Sequence, residues 1–230
     1  MSAADVLDRA RPVLIVWAER RRMINLRAAS TITSGGNRKP VNSETETGGR
    51  AARRCTIRSC RILYVDNDPI VLAHARALLT STPEGRTAYL DADFRDPETI
   101  LESDQLRETL DLSQPIAVSL IAIVHFIVDD TVVKDLIDRI MRPLPAGSIL
   151  ALSTCTADSA PEEVRVGVAA YNANGIPLVA RGQAGVERFF YGLELLDPGV
   201  VLVNHWHPDE QAAAVDDAHV HMYGGIARKP

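Results

Sequence analysis

Asp66, Asn67 and Asp68 follow directly on a short apolar run at 62–65, and Pro69 then opens an apolar-rich stretch. A second run, 87–90, leads into Asp91-Ala92-Asp93-Phe94, and a third, 116–128, is interrupted only by Ser119 and His125. An acid at the lip of a buried strand is placed to accept both hydroxyls of a ribose, as dinucleotide folds do at their second strand. On that reading Asp66 holds a ribose, Asp93 accepts from an exocyclic adenine amine, and Phe94 offers an apolar face beside the ring. A plainer reading competes. Asp68-Pro69 is a helix N-cap followed by proline at the first position. Asp91 and Asp93 are turn residues, since aspartate bonds nearby backbone readily, and His125 is a satisfied core histidine at a strand exit.

Those side chains can act together only if their strands end on one edge of one sheet. From residue 61 the chain alternates strand-like and helix-like pieces. Strands are predicted at 62–65, 87–90, within 116–128 and at 148–152. Helices are predicted at 69–79, 97–110 and 131–141, the last with Val132, Val133, Leu136, Ile137 and Ile140 in one stripe. Beyond Ser153 the pattern loosens, with helices at 161–174 and 185–191 and strands at 200–203 and 221–227. No internal repeat is present. This order predicts a doubly wound, mostly parallel α/β sheet with helices on both faces. Ligands of such sheets settle beyond the carboxyl ends of the strands.

The chain's 230 residues, 46% apolar and 24% charged, suit one well-filled soluble domain. No apolar run is long enough to cross a bilayer and no signal peptide opens the sequence, so no membrane association is expected. Three cysteines, Cys55, Cys60 and Cys155, are a sparse, odd set that fits a reducing cytoplasm better than a disulfide framework. The net charge of −5 is uneven. Residues 1–60 carry twelve Arg/Lys against five Asp/Glu, and residues 61–230 carry thirteen against twenty-five. A basic arm can mean nucleic acid, but Trp17 is its single aromatic residue, so no nucleic-acid partner is expected.

Residues 31–60 contain only three large apolar residues, Ile32, Val41 and Ile57, too few to offset the entropy of ordering. A stretch of that length without structure is anomalous inside a compact domain. The domain reading is therefore an irregular basic segment, 1–60, followed by a folded domain, 61–230.

Five stretches, "YVDNDPIVLAHARALL", "YLDADFRDPETIL", "LPAGSILALS", "FFYGLELLDPGVV" and "YGGIARKP", resemble a family of actinobacterial S-adenosylmethionine-dependent methyltransferases, long catalogued as a domain of unknown function. The resemblance covers residues 61–230. It implies a class I, Rossmann-like sheet of seven strands with the last antiparallel, S-adenosylmethionine as cofactor, and a methyl acceptor that is a small molecule of unknown identity. By resemblance, Asp66 binds the ribose hydroxyls, Asn67 lies beside the adenine, Asp93 and Phe94 contact it, and Ala122 to His125 border the methyl donor. Thr154 stands where family members commonly carry histidine. Family members also place a first strand and a glycine-rich turn just before the equivalent of Arg61, where glycine lets the backbone approach the methionyl part closely. Here that strand and turn read as degraded or missing, although 13–17 can supply a replacement strand. A shifted reading frame over residues 30–60 is one explanation, and the coding DNA there tests it.

Two other readings stay open. His205 with His207, and His219 with His221, sit two apart, so each pair would share a strand face and could serve a metal-dependent hydrolase. No metal ligand is assigned, however, because the spacing fits no established motif. A sheet that has lost its cofactor is the other. If a catalytic base is needed, His125 is the candidate. Cys155 lacks an identifiable base and reads as packing.

Overall fold

The computed structural model describes residues 13–18, 61–79 and 85–230. Its sheet is built from β1 (Val13–Ala18), β2 (Arg61–Asp66), β3 (Arg86–Asp91), β4 (Ala117–Ile121), β5 (Ile149–Cys155), β6 (Glu194–Leu195), β7 (Val201–Leu202) and β8 (Met222–Arg228). The order across it is β3-β2-β1-β4-β5-β8-β6, with β7 paired to β8 off that path. Strands β1 to β5 are parallel to one another, and β8 runs antiparallel between β5 and β6. This is the expected doubly wound sheet with its last strand reversed.

The expectation of a degraded or missing first strand is corrected. Val13–Ala18 lies between β2 and β4 as a central strand, with Ala18 level with Asp66. Val13, Ile15, Val16 and Trp17 have the side chains that favour extended backbone. The sheet therefore takes one strand from the segment read as irregular. The expected loss of the glycine turn and the expected frame shift both fall within 19–60, outside the described residues.

The helices follow their caps. In α1 (Pro69–Leu78) the Asp68 side chain accepts from the Ile70 N–H at 2.8 Å, with proline first. The single helix predicted at 97–110 is two: α2 (Pro97–Leu101) and α3 (Asp104–Thr109). Ser103 divides them, because its hydroxyl donates to the Ile100 carbonyl (2.8 Å) and accepts from the Leu106 N–H (3.2 Å). Helix α4 (Asp130–Met141) buries Val133, Leu136, Ile137, Ile140 and Met141, whereas Val132, expected in that stripe, is exposed. At its far end Lys229 donates to the carbonyls of Met141, Arg142 and Leu144, capping the last turn. Helices α5 (Pro161–Ala173), α6 (Gln183–Glu187) and α7 (Glu210–Ala213) complete the set among the described residues.

Gly225 is a tightly packed position on β8 that faces the core. A Cβ there would lie 3.1 Å from both Phe190 Cζ and Val200 Cγ2. Both neighbours belong to the main core, so neither can withdraw freely. Gly225→Ala is expected to cost about 1–3 kcal/mol in urea unfolding, and Phe190→Leu in the same chain should recover part of that loss. Purely additive costs would show that the contact is not the cause.

Candidate functional site at the carboxyl ends of the strands

The winding of the sheet reverses between β1 and β4, and the carboxyl ends of β1 to β5 share one edge. Ala18, Asp66 and Asp91 are in register across β1, β2 and β3. Asp66 is only 4% exposed, and its Oδ1 accepts from the Asp68 N–H at 2.7 Å. The next residue bridges two strand ends: Asn67 Nδ2 donates to Asp93 Oδ2 at 3.0 Å. Its Oδ1 is buried with no partner among the described residues. A buried amide oxygen left so is costly and marks a place where a donor would be welcome.

Asp93 is differently placed from the expectation. Its carboxylate accepts from the Arg95 backbone N–H and guanidinium as well as from Asn67. Burial alone would raise its pKa, but the Arg95 and Asn67 bonds outweigh that and hold it below the ordinary value. An adenine amine would have to share oxygens already in use, so the turn reading fits this state better. Phe94 is packed in the main core and offers no open face beside a ring.

At the end of β4, Ala122 adopts φ 57°, a left-handed backbone that a side chain disfavours. Its N–H donates to both the carbonyl and the hydroxyl of Ser153 on β5, each at 3.1 Å. This sharp departure ends the strand at Ile121, although the apolar run continues. His125 follows in a short 3₁₀ turn and is buried, with its Nδ1 accepting from the Cys155 N–H at 3.3 Å. Its proton therefore sits on Nε2 and its lone pair is engaged. Burial, seconded by the Arg181 charge, pushes its pKa down to about 4. With its lone pair engaged and its basicity lowered by burial, His125 in this state gives the expected role of catalytic base little support. Burial likewise raises the Cys155 thiol, which agrees with packing.

The histidine pairs do not converge. His205 closes a 3₁₀ turn, not a strand, and its Nε2 lies 2.7 Å from Asp217 Oδ1. His207 has φ 48° and bonds the Asp197 carbonyl. Among the described residues no group of three or more His, Cys, Asp or Glu could hold a metal.

One residue that the pattern of motifs did not flag is prominent. Arg181 is 5% exposed, and its guanidinium reaches the Val124 and Ile127 carbonyls and Asp130. The only signal in the sequence was an arginine in the stretch "PLVARGQ", which spacing alone reads as a solvated loop.

The family model described as S-adenosyl methyltransferase matches residues 2–230. The chain belongs to that family. Its cofactor is accordingly S-adenosylmethionine, and the match takes in the N-terminal segment as well as the motif-bearing part. A DUF574 family protein from Streptomyces avermitilis is 49% identical, with a TM-score of 0.73 over 78% of this chain and 68% of that one. A candidate methyltransferase from Thermobifida fusca is 32% identical, with a TM-score of 0.64 over 74% of this chain and 63% of that one. The chain thus spans about two thirds of the length of each. No curated protein matches. No described helix is long and apolar enough to cross a membrane.

The described residues fit the adenosine half of that cofactor: a buried acid at a strand end and, beside it, a buried amide oxygen awaiting a donor. Two outcomes test the turn after β4. His125 binds its proton near pH 6.5 when unfolded and only near pH 4 when folded, so stability is greatest above 6.5 and falls as pH drops through that window, by about 3 kcal/mol. The difference in unfolding free energy between wild type and His125→Gln should change by that amount from pH 7 to pH 4. Ala122→Val should cost about 1–3 kcal/mol and Ala122→Gly little, because only glycine adopts φ 57° without strain.

Proposed function

We propose that this chain transfers a methyl group from S-adenosylmethionine to a small-molecule acceptor in the cytoplasm. The single observation that carries the reading is Asp66, buried at the carboxyl end of β2 beside the point where the winding reverses. In this reading its carboxylate accepts the ribose hydroxyls and Asn67 Oδ1 accepts a donor from the adenosyl group. The turn from Ala122 to His125 walls the opposite side. When bound, the cofactor supplies an electrophilic methyl on a sulfonium centre. The protein's part is positional: to hold donor and acceptor in line and keep water out. A neutral His125 suits that task, because an imidazolium beside a sulfonium would repel it. The surplus of acids over residues 61–230 supports a partner other than nucleic acid, and three sparse cysteines support the cytoplasm.

A second reading has its own support. Glu19-Arg20-Arg21-Arg22 follows β1 directly, whereas in the family the first strand runs straight into a glycine-rich turn, so the methionyl half of the site would lack its close backbone. A sheet that keeps its strands but has lost cofactor binding, and catalysis with it, is the consequence. Thermal-shift titration with S-adenosylhomocysteine separates the two, since a ligand bound only by the folded state must raise Tm. Wild type is expected to show a concentration-dependent rise, and Asp66→Asn at least a tenfold weaker affinity, about 1.4 kcal/mol or more. A wild-type Tm that ignores millimolar ligand would leave the non-catalytic reading standing.

A further inference from the structure

Arg181 lies in the irregular connection between α5 and α6, yet it is among the most deeply buried charged groups described. Its Nε donates to Asp130 Oδ1 at 2.6 Å, at the start of α4. Nη1 donates to the Val124 carbonyl at 3.1 Å, and Nη2 to the carbonyls of Ile127 (2.6 Å) and Val128 (3.4 Å). The guanidinium also stacks over the Phe189 ring, 5.2 Å from its centroid. The neighbouring backbone completes the attachment. The Arg181 N–H donates to the Cys155 carbonyl, the Val179 N–H to the His125 carbonyl, each at 2.9 Å.

Four carbonyls of the turn after β4, at 124, 125, 127 and 128, are therefore held from one side by residues 179–181. The turn itself is strained at Ala122, and its ties to β5 there are the Ala122 N–H on Ser153 and His125 Nδ1 on the Cys155 N–H. A strained turn relaxes unless its surroundings over-determine it. The planar fork of arginine can satisfy several divergent carbonyls at once, whereas a lysine ammonium is a compact point charge that cannot match that geometry.

We propose that Arg181 is the positioning residue of the cofactor crevice: its guanidinium clamps the turn at residues 122–130 in the shape that borders the bound methyl donor. This rests on the crevice being the cofactor site, as argued above. The side chain need not touch the ligand. It acts through the turn, where a displacement of about 1 Å is enough to cost affinity or rate.

Lys229 supplies the comparison. It too donates to three carbonyls, but at the opposite end of α4. Amide hydrogen exchange on full-length protein, together with calorimetric titration of S-adenosylhomocysteine, tests the clamp. Arg181→Met should speed exchange at 122–130 at least tenfold relative to β8 and weaken the ligand at least tenfold. Arg181→Lys should recover part of both effects. Lys229→Met should lower global stability without singling out 122–130 or changing affinity. Should Arg181→Met fail to fold, Asp130→Asn, at a half-exposed side chain, should still speed exchange in that segment severalfold. Equal effects of Arg181→Met and Lys229→Met, or unchanged exchange at 122–130, would overturn the proposal. Failure of wild type to bind the ligand sinks the proposed function instead, and with it the crevice role, while the exchange pattern still shows whether the clamp exists.

Discussion

A parallel sheet that winds one way from β1 to β3 and the other way from β4 to β5 cannot cover its own carboxyl edge at the reversal. In sheets of this class the connections on the two sides of the reversal diverge and leave a crevice between them. Asp66 and Asn67 end or follow β2 on one side of the reversal, and the Ala122–His125 turn follows β4 on the other.

The two sides are held differently. On the β2–β3 side the polar groups bind one another: Asn67 to Asp93, Asp93 to Arg95, Asp68 to the first turn of α1. That network sets the loops with charge-assisted bonds at a partly exposed rim. The β4–β5 side is drier, and there the backbone is the thing to be held. The Ala122 N–H goes to Ser153, the turn's carbonyls go to residues 179–181, and His125 stays neutral because burial penalises its charged form. Among the described residues the buried cation on that side is Arg181, with the half-exposed Asp130 as its acidic partner. Arg181 is buried but Asp130 is half-exposed, so removing the acid would leave the buried guanidinium resting on the turn's carbonyls.

Much of the fold was legible from periodicity. Buried strands at 62–65 and 87–90 and the apolar stripe of α4 declare themselves, because a half-buried element must repeat its apolar residues at its own period. Caps were legible too, as at Asp68-Pro69. Ser103 was not, since a hydroxyl that ends one helix and starts the next looks like any polar helical residue. The first strand was legible only as a possibility. Residues 13–17 have strand-forming side chains, but without the glycine turn nothing local says that they run in the middle of the sheet.

By itself, then, the sequence determined the alternation of elements, the class of sheet, and the acids that end its strands, since those depend on local pattern and on recognisable motifs. Tertiary structure decided which of those acids already have partners, that His125 is buried with its Nδ1 engaged, and that Arg181 reaches the turn after β4. The reason is physical. A carboxylate, an imidazole or a guanidinium takes its chemistry from neighbours dozens of residues away in the chain, and only the packed fold brings Arg181 to Val124 or Cys155 to His125.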